Sequence, residues 1–304
     1  VTNVNFDPTK LSALVRRGGE LRDKARRLFE RAASKSGTPA AKVSGPATWE
    51  IPSGREALLA ESRKLGIDTR KAANGDDVTG LQELLTYGVK GTAAYADHAL
   101  VLGQESDEVY AFFHEALSFL ADDPKDIGEL LKWNLRCGEV NLKVMGLLDA
   151  ANTGTYGHPE PTKVRVEPVK GKAILVSGHD LKDLEELLKQ TEGKGVNVYT
   201  HGEMLPAHAY PGLKKYKHLA GNYGGAWQEQ QKEFAKFPGA VLMTTNCIQK
   251  PAESYQGRIF TSGLVAWPGV AHIADRDFSP VIKAALEAEG FKADGHDATN
   301  LPSW

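Results

Sequence analysis

Lys172-Ala173-Ile174-Leu175-Val176-Ser177-Gly178-His179-Asp180-Leu181-Lys182-Asp183-Leu184-Glu185-Glu186-Leu187-Leu188-Lys189 decides the fold. A short apolar run, Ala173 to Val176, stops at a Ser-Gly breaker, and an amphipathic stretch from Leu181 to Lys189 follows. That is a buried strand handing over to a helix. The same unit recurs downstream. Val196-Asn197-Val198-Tyr199 is a second run, Gln228 to Phe237 reads as a polar helix, Ala240-Val241-Leu242-Met243 is a third run, and Arg258-Ile259-Phe260-Thr261 a fourth. Strands alternating with helices predict a parallel sheet covered by helices.

Upstream the period is different. Leu11, Leu14, Val15, Leu21, Ala25, Leu28 and Phe29 recur among Arg, Lys and Glu with the spacing of an amphipathic helix over 9–34. Gly37 to Gly54 carries Pro39, Pro46 and Pro52 and reads as a loop before a helix over 54–65. Asp76 or Asp77 would cap a helix over 78–103, in which Leu81, Leu84, Leu85, Val89, Ala93 and Tyr95 repeat at three and four residues. Further helices are expected over 107–120 and 124–152. Thr153-Gly154-Thr155-Tyr156-Gly157-His158-Pro159 is rich in breakers and marks a boundary. The expected fold class is therefore α/β: an N-terminal helical bundle, residues 1–155, followed by a Rossmann-like, mainly parallel α/β domain, residues 156–304.

With 304 residues, 41% of them hydrophobic, the chain can bury a sizeable core. Its 37 Lys plus Arg against 39 Asp plus Glu create no global basic field, so neither nucleic acid nor an anionic membrane is expected as a partner. No segment reaches the roughly 18 apolar residues of a membrane span, and no secretory signal opens the chain, which predicts a cytoplasmic protein. A start at Val1 without Met suggests a processed, trimmed or incomplete chain. Two cysteines, Cys137 and Cys247, exclude a disulfide framework and any four-cysteine site built by this sequence alone.

In an open α/β sheet, ligands collect outside the carboxyl ends of the strands. The first three runs end in Ser177-Gly178-His179-Asp180, Thr200-His201-Gly202-Glu203 and Thr244-Thr245-Asn246-Cys247. His179, Glu203 and Cys247 thus offer imidazole, carboxylate and thiolate from three successive strand ends. That mixture favours iron or zinc over magnesium or calcium. Taken singly, Asp180 reads as a helix cap, Glu203 as a cap or partner of a lysine, His179 as a packed ring and Cys247 as an inert thiol. His98 and His114 fall on helices and read as surface or core histidines, and Cys137, mid-helix beside Arg136, as a passive thiol. Gly221-Asn222-Tyr223-Gly224-Gly225 has neither the dinucleotide nor the P-loop pattern, so no nucleotide cofactor is expected.

Longer phrases go further. Thr2-Asn3-Val4-Asn5-Phe6-Asp7, Leu85-Thr86-Tyr87-Gly88-Val89-Lys90-Gly91, Gly138-Glu139-Val140-Asn141-Leu142-Lys143-Val144-Met145 and Tyr156-Gly157-His158-Pro159 resemble the helical part of the hybrid cluster protein family. Members are also called prismane proteins or hydroxylamine reductases. Ser177 to Leu184, Asn197 to His208 and Thr245-Asn246-Cys247 resemble its second domain, and the likeness runs from Thr2 to about Phe291. It implies an iron-sulfur oxidoreductase that reduces hydroxylamine, or a related nitrogen oxide, to ammonia and water at a hybrid iron-sulfur-oxygen cluster. It implies His179, Glu203 and Cys247 as cluster ligands, with the other ligands on a third domain that no part of this sequence resembles. The family's N-terminal cysteine motif, which holds a separate cubane, is absent here. His201 and His208, which flank Glu203, are candidates for supporting the ligands or delivering protons. With no nicotinamide or flavin site in the sequence, electrons would come from a redox protein partner. Two alternatives remain open: a carbon monoxide dehydrogenase-like site, and a non-catalytic fragment or remnant that binds at most one metal ion.

Overall fold

The apolar runs become strands and the amphipathic stretches become helices. The structure is a computed structural model that describes residues 4–245, 247–295 and 300–302, with side chains to residue 295. The Thr2-Asn3 part of the opening phrase, Asn246, and much of the 292–304 tail lie outside the described residues.

Six helices come first: α1 (Pro8–Ser36), α2 (Arg55–Lys64), α3 (Ile67–Asn74), α4 (Asp76–Val101), α5 (Asp107–Ala121) and α6 (Ile127–Tyr156). Then follow β1 (Lys163–Arg165), β2 (Lys172–Ser177), α7 (Leu181–Thr191), β3 (Val196–His201), a 3-10 segment Gly202–Ala209, α8 (Pro211–Lys214) and β4 (Leu219–Asn222). The last part holds α9 (Gln230–Lys236), β5 (Ala240–Met243), α10 (Glu253–Gln256), β6 (Ile259–Ser262), β7 (Ala271–Ile273), α11 (Ser279–Glu287) and β8 (Asn300–Pro302). Two compact units result, Thr9–Ala151 and Asn152–Trp304 with Val1–Pro8. The opening segment joins the second unit by strand-like bonds, Phe6 N to the Ala266 carbonyl and Ala266 N to the Val4 carbonyl. No helix among the described residues is long and apolar enough to cross a membrane.

In the helical unit, Leu85, Val89 and Ala96 of α4 pack with Val109, Phe112 and Ala116 of α5 and Cys137, Val140 and Val144 of α6. These are i, i+3, i+4 stripes, and each large side chain buried this way stabilises by about 1.5–3 kcal/mol. Two local expectations change. Leu84 and Tyr95 of α4, and Leu14, Leu21 and Leu28 of α1, are exposed by about two-fifths or more. Periodicity finds a helix but not which stripe its neighbours cover. Neither Asp76 nor Asp77 caps α4: Gly75 does, at φ 80, and both carboxylates lie in the first turn, where they favour the helix N-terminus.

The second unit is built on a six-stranded sheet in the order β4-β3-β2-β5-β6-β7, parallel throughout. The chain leaves β2 toward β3 and β4, then returns past it to β5, β6 and β7, which is Rossmann topology. β1 and β8 form a separate antiparallel pair. One core cluster joins Leu175, Tyr199, Val241 and Met243 of the sheet to Phe234 and Phe237 at α9. The register aligns Ser177 with both His201 and Met243, so three strands end at one level. β4, β7 and α11 are not legible in the sequence: β4, Leu-Ala-Gly-Asn, and the three-residue β7 carry no apolar run like those of β2, β3, β5 and β6.

Candidate metal centre

The switch point between β2 and β5 is where the chemistry gathers. Two residues beyond the aligned Ser177, His201 and Met243 stand His179, Glu203 and Thr245. Cys247 follows and turns back with φ 68, a left-handed backbone that a non-glycine residue adopts at a cost of about 1–2 kcal/mol. Gln230 of α9, itself buried, offsets that strain: its amide donates to the Cys247 carbonyl at 2.5 Å and accepts from Gln249 N at 3.2 Å. Gly178 is needed for a different reason. It sits at φ 117, and a Cβ there would lie 2.5 Å from Thr244 Oγ1 and 2.7 Å from Thr245 N.

Glu203 Oε2 is the meeting point. His179 Nε2 lies 3.3 Å from it, and the Cys247 thiol donates to the same oxygen at 3.4 Å. Thr245 Oγ1 is 2.8 Å from both His179 N and His179 Nδ1, so the ring is oriented at Nδ1 while Nε2 faces Glu203. With Nδ1 accepting from the hydroxyl, Nε2 carries the proton and donates to Glu203; with Nδ1–H donating, Nε2 presents a lone pair. The Cys247 thiol is pushed up to about 11 by burial first, then by the Glu203 carboxylate. His179 and Glu203 are exposed and Cys247 is half-buried, so one side of the cluster is open.

Asp180 does cap α7, accepting from Asp183 N at 2.9 Å. Glu203 pairs with a histidine and a thiol rather than a lysine. His98 and His114 lie on α4 and α5. Cys137 is buried, its thiol pushed up chiefly by desolvation, while neighbouring Arg136 pairs with Glu115 at 2.5 Å.

His201 and His208 are buried and engaged elsewhere. His201 Nε2 meets Glu233 Oε2 at 2.8 Å and its Nδ1 meets Ser177 Oγ at 3.1 Å. Burial lowers its pKa against the opposing pull of Glu233. His208 Nε2 is 2.9 Å from Thr200 Oγ1, whose hydroxyl donates to Asn222 Oδ1 at 2.9 Å. The Gly221 backbone also bonds the ring, so the one proton of the neutral imidazole is shared between the Thr200 and Gly221 sides. Burial lowers His208 to about 4. Sequence reasoning missed Gln230 and Glu233. The available signal was their i, i+3 spacing on the side of α9 that also carries the buried Phe234 and Phe237.

Fold and site together define an α/β protein of Rossmann topology with nitrogen, oxygen and sulfur donors gathered at the switch point. The chain belongs to the prismane/CO dehydrogenase family, whose model matches residues 1–299. It is 56% identical over 292 residues to a protein of Syntrophobacter fumaroxidans named hydroxylamine reductase, covering 96% of this chain and 53% of that one. To a Rhodospirillum rubrum protein of the same name it is 55% identical over 295 residues, covering 97% and 54%. The chain thus spans about half the length of these curated relatives. Among solved structures it is similar, at TM-score 0.47 and 13% identity, to the alpha subunit of acetyl-CoA synthase/carbon monoxide dehydrogenase with NiZn[Fe4S4] and NiNi[Fe4S4] clusters, covering 84% of this chain and 42% of that one.

Proposed function

We propose that this chain serves an iron-sulfur oxidoreductase of the hydroxylamine reductase type and that His179, Glu203 and Cys247 are its ligands to a hybrid iron-sulfur-oxygen cluster. The observation that carries the reading is the convergence of His179 Nε2 and Cys247 Sγ on one oxygen of Glu203. Their separations from it, 3.3 and 3.4 Å, match the roughly 3.3–3.8 Å edges of a tetrahedron with metal bonds of about 2.0–2.3 Å. Among the described residues no group of three or more His, Cys, Asp or Glu is placed to hold a metal ion as it stands, so in this reading the three close on a cluster only together with further ligands.

The reaction adds two electrons and two protons to hydroxylamine, breaks its N–O bond and releases ammonia and water. When bound, the cluster supplies electrons and an open iron position. The chain's own residues do the rest. Thr245 holds the imidazole so that Nε2 faces Glu203. A cation arriving at the site replaces the thiol proton as the partner of Glu203, so the Cys247 proton leaves and binding strengthens with rising pH. His201 and His208 brace the loop that carries Glu203. The substrate is small and electrons come from a redox protein; localisation is cytoplasmic.

A second reading has its own support. The sequence has only two cysteines, and Cys137 is buried in the helical unit. One thiolate holds one metal ion, not a multi-iron cluster, so a chain acting alone would be non-catalytic. Anaerobic iron and sulfide analysis, with ammonia production from hydroxylamine under an artificial reductant, decides between them. Iron with sulfide and turnover, both lost in Cys247→Ser, supports the enzyme; at most one iron, no sulfide and no turnover supports the alternative.

A further inference from the structure

The polar helix α9 and the Gly-rich turn before it find no role in ligand binding, yet both are built against the metal-site loops. Glu233 Oε2 accepts from His201 Nε2 at 2.8 Å, and Oε1 accepts from Gly225 N at 2.9 Å. A carboxylate only accepts, so the His201 proton sits on Nε2 and its Nδ1 accepts from the Ser177 hydroxyl. His201 lies two residues before Glu203, and Ser177 two before His179. One turn back on the same helix, Gln230 holds the carbonyl of Cys247. The turn is shaped to this pair. Gly224 has φ 80, and a Cβ on it would lie 2.5 Å from Glu233 Oε2 and 3.0 Å from His201 Cδ2.

We infer that α9 is a positioning element: Glu233, through His201 and Ser177, and Gln230, through the Cys247 backbone, hold the three ligand-bearing strand ends in register. The inference rests on the metal-site reading above and names residues that touch none of the donor atoms. Removing Glu233 frees the ring of His201 and the turn at Gly225 together. An amide at 233 can accept from one of these and opposes the other, so Glu233→Gln keeps half of the brace. Gly224→Ala pushes the carboxylate off His201 without altering its charge.

The test uses this chain as it stands, titrated anaerobically with Co²⁺ and followed through the thiolate-to-cobalt charge-transfer band. Supporting partners of metal ligands typically carry about 10- to 100-fold in affinity. The expected order is wild type, then Glu233→Gln, then Glu233→Ala with a loss in that range; Gln230→Ala shifts the charge-transfer band because it releases the Cys247 loop. Amide hydrogen exchange without metal should quicken at 178–180 and 202–204 in Glu233→Ala and leave α4 and α5 unchanged. If Glu233→Ala does not fold, Glu233→Gln and Gly224→Ala carry the comparison. Wild-type affinity, an unshifted band and unchanged exchange in the variants would overturn the brace. A wild-type chain that shows no thiolate band overturns the metal-site reading instead, and exchange at the loops still judges the brace.

Discussion

Arg276→Met tests the buried ion pair that pins the start of α7, next to His179. The Asp183 side chain is 3% exposed; Arg276 Nε donates to it at 2.7 Å and Ser262 Oγ at 2.5 Å. Arg276 also lies 3.7 Å from Asp180. Desolvation first, then Asp180, pushes the Asp183 carboxyl above its ordinary value, and Ser262 and Arg276 pull it back. Breaking a buried pair costs about 3–5 kcal/mol; discounting for the 36% exposure of Arg276 and the surviving Ser262 bond leaves about 2–3 kcal/mol at neutral pH. Met keeps the stem and the left-handed φ of 55, so backbone strain is unchanged. Losing the guanidinium raises the folded-state pKa of Asp183 further. The variant therefore takes up a proton at higher pH than wild type, and its deficit shrinks as pH falls through that raised pKa. Native-state amide exchange at Leu175 and Val241 in low urea reads this unit separately, at pH 7 and pH 4.5. Adding Asp183→Asn should recover at least half of the deficit, since no buried charge is then left unpaired. A loss under about 0.5 kcal/mol, or a deficit equal at both pH values, would refute the reasoning.

His208 sets an acid limit. It folds neutral with its pKa lowered to about 4 from 6.5, so its contribution is whole above pH 6.5 and fades as pH falls toward 4, by about 3 kcal/mol in all. Urea unfolding of His208→Gln, which keeps an uncharged hydrogen-bonding group beside Thr200, should show a flatter slope across that window; an unchanged slope would rule His208 out. Gly178→Ala should cost about 2 kcal/mol or more through strain and the clash with Thr244 and Thr245, read as a lower melting temperature of the α/β unit. Cys137→Ala should cost about 1–2 kcal/mol of helical-unit stability and leave the Co²⁺ charge-transfer band untouched, whereas Cys247→Ser abolishes the band. Retention of the band in Cys247→Ser would remove the thiol from the site.

The sequence by itself determined the two regimes of the chain, because helix and strand announce themselves in the local spacing of apolar residues. It also offered candidates: in a parallel α/β sheet the residues after each run emerge at one edge, which puts His179, Glu203 and Cys247 forward together as the proposed donors. Tertiary structure decided what local spacing does not carry. The pairing of Ser177 with His201 and Met243 is a register between residues 24 and 66 apart in number, and it brings the three strand ends to one level. Cys247 reaches Glu203 only through a left-handed backbone held by Gln230, and Glu233 reaches His201 across a glycine turn. The exposed leucines of α1 have the same period as buried ones. Which stripe is covered, and which polar residue of a helix faces inward, depends on neighbours distant in sequence, and only the folded chain brings them together.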